Sequence, residues 1–439
     1  MARRGWMGFV LIGLILSLFS FNLTMAAPKE TKLTCIYATG DPLTKQLVHE
    51  TIVKFMQRNP GIKISEDLSI NTGAYADALK IKDSVGEFPD FVEMRDAPMF
   101  VRAEKLAPLP KELMGLYETT IPIYGTVYTA PFMAAAPNGV YYNKTFFKKN
   151  GLKEPKTYAE FLQLCEKIKA KGVSPLVAGI KDIWHMGFLF GQFWVTDIAS
   201  KNPNWIADRY AGKVHFTDAD FADAMKQLVT LFTKGYVEPG YMSTTEAQCP
   251  SILVSGKVAM YYCGPHVIKQ ITDADPSFDL GWFPIPDAKG KVYLLGGATK
   301  DGWAISAQAA KDPAKVQAFV KFVKFFMAKP QYSKFVASGN YFPTSKQAIT
   351  YKATPAMQSV LKAYAKAGKS LNWNQGVGAN EIPPAFRNWT YKKVQEMLIG
   401  TVSVEDGLKQ MDEEFDKEAR DFNPTKFVPE KLSVPTATK

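Results

Sequence analysis

Several short stretches of the sequence begin like catalytic or cofactor-binding motifs, but each is incomplete. "HETIV" at His49 starts like the zinc motif H-E-x-x-H and lacks its second histidine. "GGATKDGW" from Gly296 is rich in glycine but lacks the G-K-[ST] of a phosphate-binding loop. There is no G-x-S-x-G, and the four histidines have no C-x-x-C neighbour. A glycosidase stays open as an alternative, because its carboxylate pair needs no local motif.

Aromatic residues give a more positive indication of binding chemistry. Five tryptophans occur in polar surroundings rather than in apolar repeats: Trp184, Trp194, Trp205, Trp373 and Trp389. Sugars present C–H faces that pack on aromatic rings, and their hydroxyl groups need polar partners beside those rings. Any one tryptophan can equally fill a core or a surface, but the group together favours a carbohydrate cleft.

The positive charge of the chain does not indicate a nucleic-acid surface. The formal net charge is +11 and falls to +9 without Arg3 and Arg4, but the lysines are spread along the chain. Many are mixed with acids, as in "MDEEFDKEARD" at 411–421. Nucleic-acid-binding proteins concentrate their charge on one face or stripe. We therefore expect a solvated basic surface and no nucleic-acid partner.

The N-terminus has the pattern of a secretory signal peptide. Arg3 and Arg4 precede an apolar run at 9–21, and small residues follow it up to Ala27. The run is shorter than the roughly 20 residues that span a bilayer. We expect cleavage after residue 27 and location in the periplasm, without a lipid anchor because no cysteine lies at the cleavage point. Twin-arginine export is the weaker alternative.

Four cysteines are present, and an oxidising compartment permits disulfides. Cys249 begins a predicted helix, and Cys263 ends the strand that returns from it, so their positions favour a disulfide between them. Free buried thiols are the alternative. Cys35 on a first strand and Cys165 on a helix face are expected in the core.

Strands and helices alternate along the chain, which predicts the α/β class. "KLTCIYA" is followed by a helix that begins at Pro42 with Asp41 as its cap, and "IKISED" follows as the next strand. Such a β-α-β unit implies a right-handed crossover into a parallel sheet. Further strands are predicted at "GVYY", "KVAMYYC" and "GWAIS". A chain of 439 residues exceeds one ordinary core, so two lobes are expected.

Residues 141–176, "YYNKTFFKKNGLKEPKTYAEFLQLCEKIKAKGVSPL", resemble a segment of bacterial extracellular solute-binding proteins of family 1, the maltose-binding-protein-like class. Those chains typically have Y-Y-N-K-x-L-F, then G-L, a proline and T-W-x-E-F; here Tyr158 replaces the tryptophan. Five more blocks match in order: "FMQRNPGIKI", "FPDFVEM", "SGKVAMYYCGPHVI", "GGATKDGWAIS" and "IGTVSVEDGL". The resemblance thus covers nearly all of the chain after residue 27.

This resemblance implies a two-lobed periplasmic binding protein fold of the class II-like type. Two open mixed sheets flanked by helices would be joined by a three-segment hinge, with the ligand between the lobes. The crossings are expected near 133–137, 294–297 and 341–344. Lobe one would hold residues 28–135 and 296–342, and lobe two residues 136–295 and 343–439.

Open sheets bind ligands beyond the carboxyl ends of their strands, and in this fold those ends face the cleft. The family often has a tryptophan at the position of His266. The ligand-binding candidates taken from strand ends and crossings are Thr39, Gly40, Asp41, Arg95, Asp96, Trp184, His185, His266, Gly297, Thr299, Lys300, Trp373 and Arg387.

The function implied is that of a periplasmic substrate-binding protein of an ABC importer, which delivers a mono- or oligosaccharide to a membrane permease. One alternative keeps this role with an anionic sugar, because arginine suits carboxylates and phosphates. The other is a secreted carbohydrate-active enzyme on a similar fold. We expect a monomer without catalytic activity, cofactor or metal ion.

Overall fold

The computed structural model describes residues 30–38, 41–69, 75–134, 136–296 and 299–422, together with Met1 and Pro424. The rest of the predicted signal peptide lies outside the described residues, as do three predicted site residues, Thr39, Gly40 and Gly297. Within the described ranges, no helix combines the length and the apolar character needed to cross a membrane.

Strands and helices alternate as predicted. The strands are β1 Thr31–Ile36, β2 Ile62–Asp67, β3 Phe91–Met94, β4 Gly139–Asn143, β5 Ser174–Val177, β6 Val258–Cys263, β7 Leu280–Phe283, β8 Tyr293–Leu295, β9 Gly302–Ile305 and β10 Gly368–Ser370. The α-helices are α1 Pro42–Arg58, α2 Tyr75–Ser84, α3 Ala97–Arg102, α4 Lys111–Met114, α5 Lys144–Lys149, α6 Tyr158–Lys169, α7 Ile183–Phe193, α8 Trp205–Tyr210, α9 Ala219–Thr233, α10 Cys249–Val254, α11 Val267–Ala274, α12 Pro313–Met327, α13 Lys329–Gly339, α14 Pro355–Lys366, α15 Pro384–Leu398 and α16 Val404–Asp421. A π-helical turn, Trp194–Ala199, follows α7.

The first sheet has the strand order β2-β1-β3-β9. β1 runs parallel to β2 and β3, while β9 pairs antiparallel with β3. Asp41 caps α1 as predicted, because its carboxylate accepts hydrogen bonds from the backbone N–H groups of Leu43 and Thr44 at 3.0 and 3.3 Å. The predicted β-α-β unit is therefore confirmed.

The second sheet has the order β5-β6-β4-β7, with β5 parallel to β6 and β4 antiparallel to both of its neighbours. It is a mixed sheet, like the first. β8 and β10 form a separate parallel pair. This pair connects residues 293–295, at the second predicted crossing, to the C-terminal part of the chain.

Strands β3, β4 and β6 and the C-terminal end of β1 are buried on both faces, which explains why β3, β4 and β6 read as apolar runs, whereas β2 alternates buried and exposed residues. In β1, Cys35 belongs to a cluster with Phe91 and Trp303, while the adjacent Ile36 faces a different cluster. In β4, Tyr142 and Tyr141 separate in the same way. We call the first sheet with the hydrophobic clusters that pack on it the first lobe, and the second sheet with its clusters the second lobe.

Two chain segments change from one lobe's core to the other between adjacent residues. Tyr341 is buried in a first-lobe cluster and Phe342 in a second-lobe cluster. Met133 packs against the same first-lobe cluster, and Ala134 packs against the same second-lobe cluster. The backbone N–H of Ala134 donates to the carbonyl oxygen of Phe342 at 2.9 Å. The chain therefore passes into the second lobe at residues 133–134, whereas after Phe342 it returns to the first lobe, where Ile349 and Tyr351 pack, before Ala353 packs in the second.

Candidate functional site

A charged pair connects the lobes where two of the predicted site residues meet. Asp96 follows β3 in the first lobe, and Arg387 lies on α15 in the second. The Arg387 Nη1 and Nη2 atoms lie 2.6 and 3.3 Å from the two carboxylate oxygens of Asp96. Burial raises the pKa of Asp96, but the guanidinium of Arg387 outweighs it and holds that pKa below its usual value.

A narrow pocket of about 20 Å³ lies beside this pair. That volume holds about one water molecule, so a larger ligand could enter only if the lobes moved apart. Lys300 contributes from the first lobe, with its side chain buried and its Nζ atom donating to the carbonyl oxygen of Gly376 at 3.2 Å. The lining residues are Asp96, Pro98, Met99, Lys300, Asn374, Glu381, Ile382 and Arg387.

Glu381 is a pocket residue that the sequence analysis did not identify. Its Oε2 atom accepts a hydrogen bond from the Tyr124 hydroxyl at 2.6 Å, and that hydroxyl accepts from Arg102 Nε at 2.6 Å. Tyr124 and Arg102 belong to the first lobe, so this is a second polar connection between the lobes. Burial raises the pKa of Glu381.

A third connection involves two more residues that were not predicted. Gln375 Nε2 donates to Asp301 Oδ2 at 3.0 Å, and the Thr299 hydroxyl accepts from the Asp301 backbone N–H at 3.0 Å. The other oxygen of Asp301 and the side-chain oxygen of Asn374 have no hydrogen-bond partner among the described residues. Burial raises the pKa of Asp301 to about 6. Asn374 lines the pocket and so places one free acceptor there, whereas Asp301 is not among the lining residues.

Asp41 and His266 lie at a different contact between the lobes. Gln270 on α11 donates from Nε2 to Asp41 Oδ1 at 3.1 Å, in addition to the capping role of Asp41. His266 immediately precedes α11. Its Nε2 atom lies 3.3 Å from Glu246 Oε1 and 3.8 Å from Cys263 Sγ. These two predicted residues are thus placed near the lobe boundary, but not in the pocket of Asp96.

Arg95 is held within its own lobe. Its Nη2 and Nε atoms lie 2.8 and 2.9 Å from Glu93 Oε1, and its guanidinium packs over the ring of Tyr75 at 5.8 Å. Glu93 is buried, whereas the Arg95 side chain is 42% exposed. Arg95 therefore pairs with Glu93 and, unlike Arg387, is not among the residues that line the pocket.

Burial corrects the predicted roles of two site residues. Trp373 is 2% exposed, and its indole N–H donates to the Tyr391 hydroxyl at 3.0 Å, so it packs behind the pocket rather than at its surface. His185 is fully buried, with Nε2 3.1 Å from the Tyr261 hydroxyl. Burial lowers the pKa of His185 to about 3, so the imidazole is neutral.

The prediction that the five tryptophans lie in a cleft was wrong for most of them. Trp194 and Trp205 are buried and pack edge-on against each other at 5.7 Å, and Trp389 packs against the same core. Trp184 is half-buried, and its ring centroid lies 5.5 Å from that of Phe188, which is also partly exposed. Sequence neighbours were misleading because the apolar partners of these rings come from distant segments.

The predicted disulfide is also corrected. α10 begins at Cys249 and β6 ends at Cys263, as expected, but all four cysteines are free thiols. The Cys249 thiol donates to the carbonyl oxygen of Thr245 at 3.4 Å. Cys263 Sγ lies 3.8 Å from one imidazole nitrogen, on His266, and 3.9 Å from another, on His185. Each sulfur thus has a polar partner other than the second sulfur.

Comparison with known proteins gives a consistent result. The family described as bacterial extracellular solute-binding protein matches residues 38–325. The multiple sugar-binding protein of Streptococcus mutans serotype c is 26% identical over 316 residues, which cover 69% of this chain and 74% of that protein.

Solved structures share the architecture. A chitin oligosaccharide binding protein superposes with a TM-score of 0.78 at 22% identity, covering 89% of this chain and 100% of the other. A sugar transporter from Bacillus licheniformis, in complex with stachyose, gives a TM-score of 0.72 at 20% identity and covers 88% and 100%. These likenesses confirm the predicted α/β fold with two lobes of open mixed sheets.

Proposed function

The chain belongs to the bacterial extracellular solute-binding protein family, and on this premise we propose that it is the carbohydrate-binding subunit of an ABC importer. The observation that carries the proposal is the polar pocket to which both lobes contribute, at Asp96 and Arg387. A named sugar-binding relative and a structural neighbour with bound stachyose support the ligand class.

The pocket has the mixed character that a sugar requires. Pro98, Met99 and Ile382 supply apolar surface for C–H groups. The unpartnered oxygen of Asn374 is suited to accept a hydrogen bond from a sugar hydroxyl group. Such a hydroxyl group would satisfy a buried acceptor that otherwise costs free energy in the folded protein.

A neutral sugar fits this pocket better than an anionic one. Two cationic side chains line it, on Lys300 and Arg387, but Asp96 and Glu381 line it as well. The formal charges cancel, and the Arg387 guanidinium already has both oxygens of Asp96 as partners. A carboxylate or phosphate ligand would have to displace that pair or remain beside a negative charge.

Ligand exchange in this proposal is a hinge movement between the lobes, with boundaries at residues 133–137, 294–297 and 341–344. The passage of the chain at Met133 and Ala134, joined to Phe342 by a backbone hydrogen bond, is the kind of short link that hinge closure uses. A ligand that contacts both lobes stabilises the closed state because it binds that state more tightly than the open one.

The biological setting belongs to the same proposal. Residues 1–27 serve as an export signal, and the mature protein acts as a monomer in the periplasm without a lipid anchor. The closed, loaded form docks on the transmembrane subunits of the importer. The basic N-terminal pair followed by an apolar run supports export.

The test is a thermal-shift screen of residues 28–439 after unfolding and refolding, which removes any ligand retained during purification. Neutral and acidic mono- and oligosaccharides are compared at equal concentration. A sugar at 100 times its dissociation constant should stabilise the protein by about 2.7 kcal/mol. We expect a neutral sugar to give the largest shift, without new products by mass spectrometry.

The outcomes against the proposal are specific. Stabilisation by acidic compounds alone would favour the anionic alternative. Shortened products would favour an enzyme on the same fold. No shift with any carbohydrate would contradict the proposed ligand class.

A further inference from the structure

Three side chains with metal-binding donor atoms converge in the second lobe, away from the pocket. Glu246 lies in the turn before α10, Cys263 ends β6, and His266 precedes α11. One donor atom from each lies within 4.8 Å of the other two. The His266 Nε2 atom is 3.8 Å from Cys263 Sγ and 3.3 Å from Glu246 Oε1.

The carboxylate of this cluster is incompletely satisfied. Glu246 is fully buried, and its Oε2 atom has no hydrogen-bond partner among the described residues. Burying an ionised carboxylate without full compensation is costly, so such groups are normally paired or bound to a metal. His266 Nε2 and the Tyr261 hydroxyl, at 3.3 and 3.5 Å, compensate the Oε1 atom and leave Oε2 unexplained. A cation bound by both oxygens of the carboxylate would account for it.

The spacing of the donor atoms suits a tetrahedral ion. Zinc binds sulfur at about 2.3 Å, and nitrogen and oxygen at about 2.0–2.2 Å, so the edges of the tetrahedron are roughly 3.4–3.6 Å. The two distances at His266 Nε2, 3.3 and 3.8 Å, lie close to these edges. A thiolate, an imidazole and a carboxylate together select zinc-like ions over magnesium or calcium, which prefer oxygen ligands alone.

We propose that Glu246, Cys263 and His266 bind one divalent transition-metal ion of the zinc type. The thiolate and the carboxylate each carry one negative charge, so a dication makes the buried cluster neutral. Three protein ligands leave one coordination position for water or another small donor. This site differs from the expectation of no metal ion in the sequence analysis.

Neighbouring side chains provide the outer contacts that metal ligands usually have. The Tyr261 hydroxyl lies 3.5 Å from Glu246 Oε1 and 3.1 Å from His185 Nε2. The Glu246 backbone N–H donates to Asp182 Oδ2 at 2.8 Å, which fixes the turn that carries the carboxylate. The metal would thus join a turn, a strand end and a helix start that are already held in place.

The site has a consequence for the lobe boundary. His266 immediately precedes α11, and Gln270 on that helix reaches Asp41 of the first lobe. An ion on His266 would fix the start of the helix that makes this contact. The metal would therefore support the second-lobe side of the boundary without contacting the ligand pocket.

The test is titration of the metal-free, untagged protein with Zn²⁺ and with Co²⁺ under a non-thiol reductant. We expect one ion per chain, a rise in the unfolding midpoint, and a thiolate-to-cobalt charge-transfer band in the near ultraviolet. Loss of a residue that only hydrogen-bonds a metal ligand weakens metal binding by about 10–100-fold, so loss of the ligand itself in Cys263→Ser should weaken it by about 100-fold or more. The cobalt band should disappear in that variant.

Two further variants keep the test decisive. Cys165→Ser removes a buried thiol of the same lobe outside the cluster and should bind metal as the unmodified protein does. His266→Asn changes a ligand that is less buried and should also lose metal binding. Circular dichroism that matches the unmodified protein shows that this variant is folded, so the loss can be assigned to the ligand. An unmodified protein that binds no stoichiometric ion, or a Cys263→Ser variant that keeps the cobalt band, would overturn the proposal.

Discussion

Asp96 and Arg387, 291 residues apart in sequence, form the paired contact at which the two lobes meet. Both side chains are 19% exposed, so solvent screens the pair only in part. Because both also line the pocket, ligand binding and lobe contact share the same atoms. Changes at this pair should therefore affect affinity more than the stability of either lobe.

Replacing Arg387 by alanine should weaken sugar binding. Truncating one partner of a buried charged pair costs about 2–5 kcal/mol, and partial exposure places this pair at the lower end, so affinity should fall by about tenfold or more. Isothermal titration calorimetry with the sugar from the screen measures the change. Arg420→Ala removes the same charge from an exposed position of α16 in the second lobe and should leave affinity unchanged. Equal affinity in both variants would contradict a role for the pair in binding.

Asn374 should contribute a hydrogen bond to the sugar. Its side-chain oxygen has no partner among the described residues, and the residue lines the pocket. Asn374→Ala should reduce affinity by about 0.5–1.5 kcal/mol, the usual net value of one hydrogen bond. Gln358→Ala is the control, because it removes an amide from an exposed position on α14. If Asn374→Ala binds as well as that control, the amide does not contact the ligand.

The stability of the protein should depend on pH through Asp301. Burial raises its folded pKa to about 6, above the unfolded value of 3.8, so the folded state holds the proton more tightly. Between these values the folded state binds more protons, and stability from this group falls as pH rises from about 4 to about 6. Above that range the charged carboxylate is a constant penalty of the folded state.

Asp301→Asn removes this titration. The variant should gain stability relative to the unmodified protein as pH rises from 4 to 7, by about 1–3 kcal/mol in total. Urea unfolding at each pH measures the difference, and Asp279→Asn, on a side chain that is 60% exposed, serves as the control. A difference that is the same at pH 4 and pH 7 would show that Asp301 does not titrate in this range.

The cysteines should all be available as thiols once the protein is unfolded. The four free thiols imply that alkylation in denaturant without reductant modifies every cysteine, which mass spectrometry counts directly. If only two cysteines were modified, the result would support the predicted disulfide between Cys249 and Cys263. Reduced and alkylated protein gives the reference mass for complete modification.

Local signals in the sequence predicted the elements well. The apolar run of β1, the cap at Asp41 and the helical spacing of α1 are all properties of neighbouring residues. The end of β3 also indicated Asp96 as a cleft residue, because the fold places such ends at one edge, and the second predicted crossing indicated Lys300. What these signals did not give was the partner of each residue, since Arg387 meets Asp96 only through the arrangement of the lobes.

The missed residues share a physical cause. Asn374, Gln375 and Glu381 lie between β10 and α15, where no strand end marks a position for binding. The amides of "NWNQG" were the one available signal, because a cluster of side-chain donors and acceptors between two helices is unusual for a plain connection. The buried tryptophans, by contrast, were predicted in a cleft because their sequence neighbours are polar, but polar neighbours in sequence do not determine burial in the folded protein.

The two positions where neighbouring side chains pack in different lobes have a mechanical consequence. Consecutive Cα atoms are about 3.8 Å apart, so the cores can separate little at Met133–Ala134 and at Tyr341–Phe342 without unpacking a side chain. A relative rotation of the lobes about these positions would displace the atoms near them least and the atoms at the distant rim most.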